Sequence, residues 1–144
     1  MVKITLDDQS LRYITLFENI TQTRVKDCLE LYNTLYFIVD TGQLQFALGR
    51  NGLKVKRLRA MLKKNIKIIE YSPNTERFIR NIFHEFPVKE ITIEEDGEDK
   101  NKNKVAYVSV DIRDKGKVIG RDSRNLKVAR EIINRHEKID ILII

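Results

Sequence analysis

The sequence predicts an α+β protein that uses one plan twice: helix, strand, strand, short helix, glycine turn, helix, strand. Three observations carry that expectation. The segments LGRNGLKVKRLRAML (48–62) and IGRDSRNLKVAREII (119–133) open on nearly the same phrase around Gly49 and Gly120. Setting those glycines together, an offset of 71 residues, lays Val55 on Leu126, Leu58 on Ala129, Met61 on Ile132 and Leu62 on Ile133, an apolar stripe at helical spacing in both copies. Each stripe is followed by a short alternating run, Ile66-Lys67-Ile68 and Ile139-Asp140-Ile141, which has the period of a strand.

The remaining elements follow in order. From Asp7 to Ile20, Leu11, Ile14 and Phe17 with Tyr13, Leu16 and Ile20 form an amphipathic helix that Asp7 or Asp8 caps. Val25–Leu31 and Leu35–Val39 are strand-like, and Gly42–Leu48 leads through a short helix into the first glycine turn. The second copy opens at Ser72-Pro73-Asn74, where Pro73 suits a helix start. Phe78, Ile79, Ile82, Phe83 and Phe86 supply its buried face, and Pro87 ends it. This helix matches the first at an offset of 66, with Phe17 on Phe83 and Ile20 on Phe86. Val88–Glu94 and Val105–Val110 make the next strand pair, joined by EDGEDKNKNK with an Asp96-Gly97 turn signal. That loop is expected to absorb the change of offset from 66 to 71. Asp114–Ile119 is the second short helix, and the boundary falls between residues 1–72 and 73–144.

A chain of 144 residues, 42% hydrophobic and 33% charged, buries one ordinary core or two small ones. Its single cysteine, Cys28, allows no internal disulfide, and His84 and His136 stand far apart without ligand-type spacing. No metal or cofactor is expected. There is no P-loop and no nucleophile motif, and Glu94-Glu95 lies beside a polar loop with no apolar pocket to tune its acidity. The expectation is a binding protein, not an enzyme, with no small-molecule substrate. MVKITLDDQS lacks an apolar targeting core, and no run approaches the ~18 apolar residues of a membrane span, so a cytoplasmic protein without membrane attachment is expected. The net charge of +6 is uneven: residues 1–72 hold 12 Lys and Arg against 7 Asp and Glu, residues 73–144 hold 15 against 14. Between Asp40 and Glu70 no carboxylate occurs, while Arg50, Lys54, Lys56, Arg57, Arg59, Lys63, Lys64 and Lys67 fall inside the window. Such a stripe suits a polyanion.

A G-x-x-G turn between two helices, with a strand after them, resembles the type II KH domain. The resemblance covers nearly the whole chain, twice, and implies two tandem domains, each a three-stranded sheet packed on three helices. In that family the loop and the start of the following helix clamp the backbone of about four single-stranded nucleotides, while bases rest on an apolar groove. A backbone that turns sharply against a phosphate has no room for Cβ atoms, and the amides at a helix N-terminus favour an anion. With the short connection Tyr71-Ser72-Pro73-Asn74, the phrases LGRNG (48–52) and IGRDSRNLKVAREI (119–132) resemble the NusA family in its short archaeal form, which lacks the polymerase-binding and S1 domains of bacterial members. The resemblance implies a transcription elongation and termination or antitermination factor whose partner is nascent single-stranded RNA, with RNA polymerase as a candidate second partner. The RNA-binding residues it implies are Gly49, Arg50, Asn51, Gly52, Lys54 and Arg57 in the first copy and Gly120, Arg121, Asp122, Ser123 and Arg124 in the second. Two rivals stand beside it: a KH tandem in ribosome assembly or RNA processing, and a protein-interaction scaffold on polymerase.

The second loop departs from the pattern, with Ser123 for the final glycine and a carboxylate at Asp122. With the charge split, this leads to the expectation that the first loop dominates phosphate binding. On the helix after Gly52, Lys56, Arg57, Lys63 and Lys64 fall opposite the apolar stripe as a largely solvated face. Arg59 and Arg130 align between copies and read as structural or interdomain. Phe17, Phe83 and Phe86 belong to the core, and Phe46 either lines the groove or packs beneath the short helix. Cys28 reads as a small buried or half-exposed residue, and His84 and His136 as helix residues.

Overall fold

Asp7 starts the first helix: its carboxylate accepts the amide of Ser10 at 2.7 Å, so of the two candidate caps it is the one used. In the computed structural model, which describes residues 6–95 and 104–144, the chain forms two compact units that divide between Pro73 and Asn74. The expected Asp96-Gly97 turn lies outside the described residues.

In the first unit α1 (Asp8–Thr21) buries Ile14, Phe17 and Thr21. β1 (Val25–Leu31) and β2 (Thr34–Val39) pair antiparallel across Tyr32-Asn33. Both turn residues have positive φ, 50° and 59°, the combination whose twist matches that of two flanking strands. After α2 (Leu44–Leu48) and α3 (Leu53–Leu62), β3 (Asn65–Glu70) returns parallel to β2, giving the order β1-β2-β3. The Phe17 and Phe37 rings stack at 4.2 Å, among fully buried Leu35, Leu58 and Ile66. Truncating Leu58 to alanine in such a core costs about 2–5 kcal/mol.

In the second unit Asn74 caps α4 (Thr75–Ile82), accepting the amide of Arg77 at 2.9 Å. Pro73 therefore precedes the cap and is not a helical residue, and α4 stops at Ile82, well before Pro87. Phe83 is still buried, Phe86 is half-buried, and their rings meet edge to face at 6.3 Å, so they pack from the turns after the helix. β4 (Val88–Glu95) and β5 (Lys104–Val110) pair antiparallel. After α5 (Lys115–Ile119) and α6 (Arg124–Asn134), β6 (Ile139–Ile143) runs parallel to β5, giving β4-β5-β6.

One offset differs from the sequence expectation, and the pairing fixes another that the sequence left open. Each antiparallel pair carries a bulge at its start, between Val25 and Asp27 and between Val88 and Glu90. These bulges set β1 on β4 at an offset of 63, so the second hairpin absorbs eight residues and not five. In the parallel pairs Leu35 faces Ile66 and Ala106 faces Ile141, so Ile66 corresponds to Ile141. An alternating pattern looks the same after a slide of two. The aligned arginines agree with this register: Arg59 Nη2 donates to Ile66 O at 2.9 Å, and Arg130 Nη2 to Ile141 O at 2.9 Å.

Candidate nucleic-acid interface

Each short helix hands over to the next through a loop whose first residue has no side chain. Gly49 adopts φ 69°, ψ −174°, Asn51 φ 57°, ψ 27°, and Gly52 φ 68°, ψ 19°. Gly120 adopts φ 82°, ψ 169°, Asp122 φ 53°, ψ 31°, and Ser123 φ 58°, ψ 24°. The loops close alike, Gly52 N–H to Gly49 O at 3.4 Å and Ser123 N–H to Gly120 O at 3.1 Å. Positive φ with extended ψ is open only to glycine, whereas the left-handed helical region costs another residue roughly 1–2 kcal/mol. Packing draws the same distinction. A Cβ on Gly49 would lie 2.8 Å from Lys54 Cγ and one on Gly120 2.7 Å from Asn125 Nδ2, whereas one on Gly52 meets nothing within 4 Å. The first glycine is thus fixed by conformation and contact, the last by conformation alone. Ser123 takes the last place without changing the path of the chain.

The loop residues Arg50, Asn51, Arg121 and Asp122 are exposed, and each loop opens onto the N-terminus of a helix, α3 or α6. The first amides of a helix lack intrahelical partners and carry partial positive charge; here the very first, Leu53 N–H and Arg124 N–H, donate to the loop carbonyls Arg50 O and Arg121 O. Lys54 is turned under its loop, its Nζ donating to Thr21 O at 3.0 Å and Phe46 O at 3.1 Å. Arg57 and Arg124 are exposed on α3 and α6. Phe46 and Leu53 flank the first loop at 62% and 58% exposure; in the second loop their positions belong to Lys117 and Arg124, also exposed.

The basic window is less available than its sequence suggests. Besides Lys54, Arg59 holds the Ile66 carbonyl, and Lys64, in the turn before β3, pairs with Glu30 at 2.7 Å. The hydrogen bond to Glu30 raises the pKa of the Lys64 ammonium above the ordinary lysine value. Lys63 is the left-handed residue that caps α3, so neither Lys63 nor Lys64 extends a helical face. The exposed cations of the window with no partner among the described residues are Arg50, Lys56, Arg57 and Lys63. Around the second loop Lys115, Lys117, Arg121, Arg124 and Lys127 are all exposed. The charge excess of the first half is therefore not concentrated at its loop.

No protein-family model matches the sequence. The probable transcription termination protein NusA of Halococcus morrhuae is 34% identical over 139 residues, covering 96% of each chain. The chain belongs to the NusA family. The probable NusA of Methanocaldococcus jannaschii is 32% identical over 139 residues, 96% of this chain and 74% of its own length. The crystal structure of APE1850 overlays with a TM-score of 0.78 at 32% identity, covering 96% of this chain and 100% of that one. Among the described residues of this NusA-family chain, no helix is long and apolar enough to cross a membrane.

Some roles in this NusA-family chain were not read from the sequence. Asn125, aligned with Lys54, donates from Nδ2 to Lys117 O at 3.2 Å; the signal was a polar residue at the second position of both helices. Met61 lies on the apolar stripe yet is 51% exposed, while its counterpart Ile132 is buried. His84 and His136 lie just beyond the ends of α4 and α6, and His136 packs edge-on against Phe78 at 5.3 Å.

Proposed function

We propose that this NusA-family chain is a pair of type II KH domains, residues 1–72 and 73–144, that bind nascent single-stranded RNA in transcription elongation and termination. The observation that carries this reading is the repetition of one loop path, Gly49–Gly52 and Gly120–Ser123, at the N-termini of helices of 10 and 11 residues. The names of the relatives, probable transcription termination proteins, support the process.

In this reading a phosphate approaches the exposed face of each loop and meets helix N-terminal amides. Arg50 and Arg121 add charge-assisted hydrogen bonds, with Arg57 and Arg124 engaging neighbouring phosphates. Asn51, Asp122 and Ser123 present side-chain polar atoms to the same strand. Lys54 serves the site from beneath its loop. Bases lean on apolar surface, for which the first unit offers exposed Phe46 and Leu53. The chain catalyses nothing: it holds RNA, and in the cytoplasm, beside RNA polymerase, a held transcript changes the balance between elongation and termination.

The test compares binding of labelled random-sequence single-stranded RNA, duplex RNA and single-stranded DNA. Preference for the single-stranded RNA is expected. Equal binding of the duplex would indicate bulk electrostatic attraction and not a strand clamp.

A further inference from the structure

Beneath each loop, a side chain from the second residue of the following helix reaches back to the same carbonyl. Lys54 Nζ donates to Phe46 O at 3.1 Å in the first unit, and Asn125 Nδ2 to Lys117 O at 3.2 Å in the second. Phe46 and Lys117 hold equivalent places, each three residues before the first glycine. The same two side chains occupy the space into which a Cβ would project from Gly49 or Gly120. The glycine and the side chain beneath it thus form one unit, repeated with different chemistry.

We propose that Lys54 and Asn125 are positioning residues, struts that hold each loop in its phosphate-receiving path, and that the Lys54 charge serves carbonyls and not RNA. The inference rests on the RNA-binding reading above. α2 is five residues long, too short to be stable alone, and its last carbonyls lack intrahelical partners. Lys54 meets one of them and also Thr21 O, the final carbonyl of α1. A cation is favoured at both helix C-termini. One ammonium therefore ties the ends of α1 and α2 to the start of α3. Asn125 is shorter and makes a single such bond, to α5. A loop held in place before RNA arrives loses less freedom on binding, and that gain appears as affinity.

The experiment uses the full chain with Lys54→Met, Lys54→Asn and Asn125→Ala. Binding of labelled random-sequence single-stranded RNA is measured across a salt series, and amide hydrogen exchange is followed at residues 49–52 and 120–123. Lys54→Met is expected to weaken binding about tenfold and to speed exchange in the first loop by a similar factor, with the salt slope unchanged. Lys54→Asn, the side chain the second unit uses, should recover most of both. Asn125→Ala should speed exchange in the second loop alone, which keeps the proposal testable if Lys54→Met does not fold. A slope that falls by about 0.7 in Lys54→Met would mark Lys54 as a phosphate contact and overturn the proposal. So would unchanged exchange in either loop, or Lys54→Asn behaving as Lys54→Met does. A wild-type chain that binds no RNA would sink the RNA reading, while the exchange data would still decide the strut.

Discussion

Between α2 and α3 the chain passes through Gly49 and Gly52, and between α5 and α6 through Gly120 and Ser123, along matching dihedral angles. The surroundings do not match. The first loop has exposed Phe46 and Leu53 beside it and a lysine beneath; the second has Lys117 and Arg124 beside it and an asparagine beneath. The comparison separates what geometry fixes from what it leaves open. The first glycine is kept where its side chain would strike the strut, while the flanks and the last loop residue vary. It also shows that charge summed over half a chain is a poor guide to charge at a site.

The glycines give the strongest test of this comparison. Gly49→Ala and Gly120→Ala each force a glycine-only backbone conformation and a contact below 3 Å, and should destabilise their unit by about 3 kcal/mol in urea denaturation followed by NMR. A loss under about 1 kcal/mol would show that the strut and glycine are not coupled. Gly52→Ala faces open space and bears only the left-handed φ, so about 1 kcal/mol is expected. Ser123→Gly relieves that strain but adds freedom to the unfolded chain, leaving a net stabilisation of about 0.5 kcal/mol. A clear destabilisation would mean that the serine side chain holds the loop.

The smallest expected effect lies at the turns that lead into the short helices. Asp111 and Asp40 are equivalent. Asp111 accepts the Arg113 amide at 3.0 Å and its guanidinium at 3.3 Å, with Lys89 at 3.5 Å. Those bonds, the backbone one foremost, lower the Asp111 pKa below its ordinary value. A carboxylate with a lowered folded pKa contributes stability that is present above the unfolded pKa and lost as pH falls through the folded one. An NMR pH titration should therefore show Asp111 ionised below the usual aspartate midpoint. Arg113→Ala should return the midpoint only part of the way, because the backbone bond remains; full return would assign the whole effect to the side chain.

Helical stripes were legible because apolar residues three and four apart can face one core only from a helix, and the repeat was legible because Gly49 and Gly120 need the same conformation. The end of α4 was not, since Phe83 and Phe86 keep helical spacing while packing from turns. The strand at Ile139-Asp140-Ile141 was legible as β6, but which of its residues answers to Ile66 was not, because a strand pattern repeats every second residue. At the candidate site the loop path was visible in the glycines, but the use of each cation was not. A lysine in sequence looks the same whether its ammonium meets water, a carboxylate as in Lys64, or two carbonyls as in Lys54.

The central claim, that both loops are phosphate cradles of equal path and unequal chemistry, is tested most directly by a salt titration against one single-stranded RNA. The proteins are the wild type, the double variant Arg50→Asp with Asn51→Asp, and Arg121→Asp. Each variant removes one arginine, so each should flatten the salt slope by about 0.7. The affinity loss should be larger at the first loop, several kcal/mol on the roughly 1.5–3 kcal/mol scale of a hydrogen bond to a charged group plus repulsion, because the second loop already carries Asp122. Flattened slopes in both variants with the greater loss at Arg50 and Asn51 is the predicted result. Unchanged slope and affinity in both would contradict the claim, and the greater loss at Arg121 would reverse the ranking of the two loops.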